Sequence, residues 1–225
     1  MALAPAGDWG ARVLAAFRQE LEAGGGTLLA TAQYDSARTD YSAAITDVTR
    51  TGESLARCHR LEAALATKLQ CEPRRRGDIE VIFAPAPATT ERLLQPQLRF
   101  HYAGDIATYA TSDAFDPDLR ANDELDGLMF PDMPWVLGGD RADAVQAAAR
   151  TAWPTGGPRR GRLYAFGFDA FELAEALQHR GAGGELGLAG LTGRLSIGEA
   201  QRVRRELAWA QIRDGTLQRL PPDPQ

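Results

Sequence analysis

The sequence predicts an α/β fold made of a parallel-sheet lobe, a second, mostly helical segment, and a β-hairpin at the C-terminal end. Three observations predict it. Apolar-striped helical patterns alternate with short apolar runs, Asp78 to Ala84 and Ile106 to Thr111, over short connections, as parallel strands with right-handed crossovers require. The stretch Leu128 to Leu137 is apolar yet carries Pro131 and Pro134, which lack a backbone N–H and fix φ. It therefore reads as a strand leaving its sheet, where the chain crosses between lobes, and it ends on Trp135, expected to be exposed. Finally, Gly190 to Ile197 and the partial period-two alternation from Val203 to Ile212 lead into an Asp214-Gly215 turn, a hairpin signal for antiparallel strands.

Asp8 is placed to cap a helix with Val13, Leu14, Phe17 and Leu21 on one face, and Gly24-Gly-Gly26 stops it. Thr27 to Ala32 follows as a strand. Asp40 caps a second helix with Tyr41, Ala44, Ile45 and Val48 at helical spacing, and Leu55, Leu61, Leu65 and Leu69 extend the pattern past a break near Gly52. A basic loop, Pro73-Arg-Arg-Arg76, feeds the strand ending at Ala84, whose continuous apolar character suits coverage on both faces. Pro85 and Pro87 end that strand; Thr89 or Thr90 starts a helix with Leu93, Leu94 and Leu98 inward. After Leu137, Asp140 caps a helix carrying Val145, Ala149 and Trp153. The loop 154–160 precedes a helix from Arg162 to Gln178, with Leu163, Phe166, Ala170, Leu173 and Leu177 expected on its buried side. Glycines break the chain between Gly181 and Gly190, and Pro221 begins a frayed tail.

A chain of 225 residues suffices for one large or two small domains. The net charge of -5 gives no basic face for nucleic acid or anionic membrane. Lys68 is the only lysine. No run approaches the roughly 20 apolar residues of a membrane span, and the N-terminus lacks the regions of a signal peptide. Read literally the chain is cytoplasmic, although its opening looks like the middle of a domain. Cys58 and Cys71 flank a helix without a further Cys or His at metal-ligand spacing, so no metal is expected; a disulfide and two buried thiols both stay open.

The residues carry no catalytic motif. His59, His101 and His179 fall on separate elements, and no Ser sits in a G-x-S-x-G context. Gly24-Gly-Gly26 ends a helix, whereas a phosphate-cradling loop opens one, so neither a nucleotide nor another cofactor is expected. The acidic run from Asp113 to Asp126 reads as solvated surface. Arg75 lies in the basic loop, where pairing to a nearby carboxylate is the plain reading and docking of an acidic partner the sharper one. Arg99 and Tyr102, in Arg99-Phe-His-Tyr102, are residue types enriched at interface hot spots. Ligands of open α/β sheets sit beyond the carboxyl ends of the strands, which makes Ser112, Asp132 and Trp135 the cleft candidates.

Several strings occur together in order: Gly7-Asp-Trp-Gly10, Pro73-Arg-Arg-Arg76, Leu93-Leu-Gln-Pro-Gln-Leu-Arg-Phe100, Tyr109-Ala-Thr-Ser112, Phe130-Pro-Asp-Met-Pro-Trp135, Arg162-Leu-Tyr-Ala-Phe-Gly-Phe-Asp169 and Gly190-Leu-Thr-Gly-Arg194. With them, from about Leu3 to Leu220, the chain resembles the C-terminal domain of the LppC/LpoA family of outer-membrane lipoproteins, activators of class A penicillin-binding proteins. It is similar more broadly to the type I periplasmic-binding-protein superfamily, two α/β lobes flanking a cleft. The resemblance implies that residues 1–125 and 187–225 form one lobe, and 126–186 the returning part of another whose first half is absent. The missing sheet is expected to leave an apolar face of 162–178 uncovered and open to self-association. The resemblance further implies a noncatalytic regulator on the periplasmic side of the outer membrane, partnered by a class A penicillin-binding protein and anchored by a lipid outside this chain. The alternative is a small-molecule-binding domain using the inter-lobe cleft.

Overall fold

The computed structural model describes residues 1–119, 122–155, 161–179, 186–198 and 202–221. The chain divides into two compact units, residues 1–130 with 212–216, and residues 131–211 with 217–225. It leaves the first unit between Phe130 and Pro131, inside strand β5 (Met129–Asp132). Pro131 is thus a residue of the strand rather than its terminator; it lies past the pairing of Tyr109 with Met129, so its missing N–H is not asked for there. The lobe division drawn from the family pattern is a different partition, in which 187–225 rejoins the first lobe.

The first unit is built on a parallel sheet. Strand β1 (Ala2–Pro5) pairs in parallel with β2 (Thr31–Tyr34), Leu3 opposite Ala32, and with β3 (Val81–Phe83) at Ala2 and Phe83. Strand β3 pairs with β4 (Ala107–Tyr109), Ile82 opposite Thr108, and β4 with β5. Helices α1 (Asp8–Ala23), α2 (Ser42–Thr49), α3 (Thr51–Leu65) and α4 (Ala88–Phe100) connect the strands. Ala2, Leu3 and Ala4 are wholly buried, which is why β1 is an unbroken run of small apolar residues. Period-two reading missed it for the same reason. Strand β2 begins later than Thr27, at Thr31.

Local chemistry explains the helix ends. Gly7 holds the cap position of α1 and Asp8 its first turn, so Asp8 favours the positive helix end as a charge rather than as the cap. The Gly26 N–H closes the helix on the Leu21 carbonyl. Tyr41, not Asp40, holds the cap position of α2; Asp40, one residue earlier, accepts the N–H of Ser42, the first residue of the helix. The break between α2 and α3 falls at Arg50, in a left-handed conformation, two residues before Gly52. Tyr41, Ile45, Val48, Leu94 and Leu98 pack with Leu3 and Ile82 into the core, whereas Leu61, Leu65 and Leu93, expected inward, are exposed. Cys58 and Cys71 are joined by a disulfide, with their Cα atoms 5.7 Å apart.

The second unit holds α5 (Pro134–Leu137), α6 (Asp140–Ala152) and α7 (Arg162–His179) beside an antiparallel sheet. In that sheet β7 (Arg194–Ile197) lies between β6 (Leu186–Ala189) and β8 (Val203–Glu206). Strand β6 falls inside the stretch read as a glycine break; residues 181–185 of it, like residues 156–160 of the preceding loop and 222–225 of the tail, lie outside the described residues. Strands β9 (Ala208–Arg213) and β10 (Thr216–Arg219) are joined through Asp214 and Gly215, both at positive φ, the conformation a two-residue hairpin asks for.

One aromatic expectation reverses here. Trp135 is fully buried, because Pro134 opens a short helix that turns the indole inward, whereas Trp153 at the end of α6 is exposed. Helix α7 buries Ala165 and Asp169, and leaves Leu163, Phe166, Phe171 and Leu177 exposed, Leu163 at 87%.

Candidate functional site

Three of the strings singled out in the sequence meet in the second unit. Asp132, at the end of β5, is buried and takes a two-point ion pair from Arg162 of α7, Nε to Oδ1 at 3.1 Å and Nη2 to Oδ2 at 2.5 Å. It also accepts the Met133 N–H at 2.7 Å. Such a fork-to-carboxylate pair is the planar, two-bond geometry of the stronger charge-assisted hydrogen bonds. Trp135 stacks on Tyr164, ring centroids 5.1 Å apart, and its backbone N–H donates to the Leu191 carbonyl at 2.9 Å, while its buried indole Nε1 has no partner among the described residues.

Asp169, one helical turn and more beyond Tyr164, completes the cluster. Its carboxylate accepts the N–H groups of Leu191 and Thr192 and the Thr192 hydroxyl, at 2.7, 2.7 and 2.5 Å. Gly190 lies so close that a Cβ there would overlap the carboxylate, and Gly193, at φ 142, approaches the Glu206 carbonyl with the same effect. The Leu-Thr-Gly turn is therefore fixed by an acid on α7. Asp132 and Trp135 are both buried in this cluster, Asp132 paired with Arg162 and Trp135 stacked on Tyr164. A hollow of about 330 Å³ lies beside Asp169 and Thr192, lined by Phe166, Leu173, Leu195 and Val203 with Asp169 and Arg205 at its polar edge.

The other candidates lie in the first unit. Arg75 Nη1 donates to the Tyr102 carbonyl at 3.1 Å, and Nη2 to Asp105 at 2.9 Å, so Arg75 and Tyr102 form one surface group. Tyr102 is itself exposed and stands at φ 61 just past α4. Arg76 pairs through two bonds with Asp78, which holds the Asp78 carboxyl below its ordinary range. Arg99 reaches the carbonyls of Glu124 and Asp126, and Arg92 the side chains of Asn122 and Glu124. The acidic run is thus stapled to α4 rather than merely solvated. Ser112 opens a 3₁₀ turn, Ser112–Ala114, after β4.

Besides Asp169, sequence reasoning passed over a second buried acid. Glu91, in the first turn of α4 beyond the carboxyl end of β3, is fully buried; burial pushes its pKa up to about 8, opposed by a 2.7 Å bond from Gln95. It also raises the pKa of Tyr34, whose own burial is the larger cause. Neither Glu91 Oε2 nor the Tyr34 hydroxyl has a partner among the described residues. A Thr-Thr-Glu at a helix start looks like a solvated first turn, which is why the residue went unnoticed. Among the described residues one group of metal-ligating side chains gathers, His59, Glu62 and Cys71. No described helix is long and apolar enough to cross a membrane.

Compared with known proteins, the chain matches the family described as "LppC putative lipoprotein" over residues 1–215. The chain belongs to the LppC family. Among the relatives of this LppC chain, the penicillin-binding protein activator LpoA of Vibrio antiquarius is 28% identical over 211 residues, 93% of this chain and 34% of that protein. The chain thus spans about a third of the length of the curated relatives it matches. Among solved structures it is similar to the LpoA (YraM) C-domain of Haemophilus influenzae, described as a regulator of PBP1A, with a TM-score of 0.63 and 23% identity, covering 98% of this chain and 60% of that one. It is also similar to the leucine-binding protein LivK of Thermotoga maritima, TM-score 0.57 and 16% identity, covering 98% and 59%. The fold of this LppC chain is therefore type I periplasmic-binding-protein-like.

Proposed function

We propose that this chain is a noncatalytic regulatory module that binds a class A penicillin-binding protein and raises its peptidoglycan synthesis on the periplasmic side of the outer membrane. The observation that carries this reading is the family match across residues 1–215, joined to relatives named as activators. The chemistry supports it. Asp132, the polar group best suited to a small ligand, is spent on Arg162, and the Trp135 ring is stacked on Tyr164. A solute site needs convergent polar groups facing an opening, so this pairing weakens the small-molecule alternative. We further propose that the arginine and tyrosine group of Arg75, Arg99 and Tyr102 contributes to the partner surface, since exposed aromatic and guanidinium groups supply most interface energy. The lobe division into 1–125 with 187–225, and 126–186, is part of the same proposal.

The test is saturable binding of this chain to the purified ectodomain of such a synthase, followed in parallel with glycan polymerisation and crosslinking. Binding with faster synthesis is the expected outcome, and R75E with Y102A should weaken it at least about tenfold. A folded chain that neither binds nor stimulates would overturn the reading.

A further inference from the structure

The disulfide between Cys58 and Cys71 does not stand alone on α3. His59 and Glu62 follow Cys58 by one and four positions, and one ligand atom each from His59, Glu62 and Cys71 lies within 4.8 Å of the others. His59 Nδ1 and Glu62 Oε2 are 2.8 Å apart. The other oxygen of Glu62 accepts the Leu69 N–H at 2.8 Å, which ties the loop returning to Cys71 to the carboxylate itself. We infer that Cys58, His59, Glu62 and Cys71 form a zinc-class metal site when the disulfide is reduced, so that bridge and metal are alternative fillings of one place.

Several observations point the same way. Two thiolates, an imidazole and a carboxylate are the donor types that select zinc over magnesium or calcium. A tetrahedral ion with metal–sulfur bonds of about 2.3 Å sets its sulfurs near 3.7 Å apart, about the distance two unbonded sulfurs adopt once their bond is broken. An ion with nitrogen and oxygen bonds of about 2.0 Å fits between His59 and Glu62 with their separation opened by about half an ångström. The Leu69 N–H supplies the outer hydrogen bond that orients a ligating carboxylate.

The chemistry balances as follows. A dithiol reductant gives two electrons and two protons to the Cys58–Cys71 bond, leaving two thiols and the reductant's own disulfide. Metal binding then releases those two protons as both sulfurs become thiolates. Oxidation by a disulfide, which takes two electrons from the two thiolates and two protons from water and leaves as a dithiol, re-forms the Cys58–Cys71 bond and expels the ion.

The test uses the 225-residue chain, reduced with a phosphine and titrated with cobalt(II) and then zinc(II) without competing thiol. Expected are one equivalent of cobalt with tetrahedral visible absorption and a thiolate charge-transfer band, displacement by zinc, and neither signal in the oxidised chain. H59A and E62A should each weaken binding by about 100-fold or more, since loss of even an outer-shell partner costs 10–100-fold. Circular dichroism of the reduced chain separates folding from binding: a reduced chain that regains ellipticity on adding zinc supports the site. Absence of the charge-transfer band, or a band that H59A and E62A leave unchanged, would overturn it.

Discussion

Glu91 sits in the first turn of α4 with one oxygen held by Gln95 and the other without a partner among the described residues. Water cannot reach it, so the neutral form is the one the fold accommodates, and its pKa rises from 4.5 to about 8. The sign of the stability effect follows. Between those two values the native chain keeps a proton that the unfolded chain has released, so stability is complete below about pH 4.5, declines as pH climbs to about 8, and then levels. At pH 7 the loss is on the order of 3 kcal/mol. Glu91→Gln keeps the acceptor for Gln95 and carries no charge. It should match the parent near pH 4 and exceed it by on the order of 2 to 3 kcal/mol at pH 7, with a flatter profile between, as read by urea denaturation at several pH values. A gap that stays constant with pH would show that Glu91 is not the titrating group.

At the scale of elements, α7 and the turn before β7 are joined by a single side chain. Removing Asp169 would strand two buried N–H groups and a hydroxyl. At about 1 to 3 kcal/mol for each buried donor left unmade, Asp169→Ala should cost about 3 kcal/mol or more, while Asp169→Asn, keeping one acceptor oxygen, should cost roughly half. Fluorescence-monitored urea unfolding checks both; a loss under about 0.5 kcal/mol for the alanine variant would mean the turn holds its shape without α7. These elements also show what the sequence could tell. The alternation of helices and apolar strands, the Asp214-Gly215 hairpin and the string order were legible, because each rests on local periodicity, turn chemistry or short motifs. The Asp132–Arg162 pair, the Trp135–Tyr164 stack and the Asp169 bonds join residues 22 to 30 positions apart, and nothing in local spacing encodes them. Trp135 was misread for that reason: its cover comes from α7 and Leu191, far along the chain.

At the scale of the whole molecule, the apolar stripe of α7 is the feature with no local account. Its period is that of a buried helix, yet Leu163, Phe166, Phe171 and Leu177 all face outward, Phe171 at 72% exposure. A helix apolar on both sides belongs between two layers. We therefore propose that a second copy of the chain covers this face in solution. Two forces compete in that association. The net charge of -5 makes copies repel, most strongly at low ionic strength, whereas burial of aromatic area attracts them independently of charge. Screening weakens the first and leaves the second, and sulfate strengthens the second further. Sedimentation velocity should accordingly show a monomer at low concentration and low salt that shifts to dimer as protein or sulfate is raised, together with binding of a hydrophobic dye that fades as dimer forms. Phe166→Asp with Phe171→Asp should hold the chain monomeric and dye-silent under all those conditions, because a charge buried at the contact would have no partner. A parent chain that stays monomeric and binds no dye at any concentration would remove self-association from the account, and would mean that Leu163, Phe166, Phe171 and Leu177 are shielded within a single molecule.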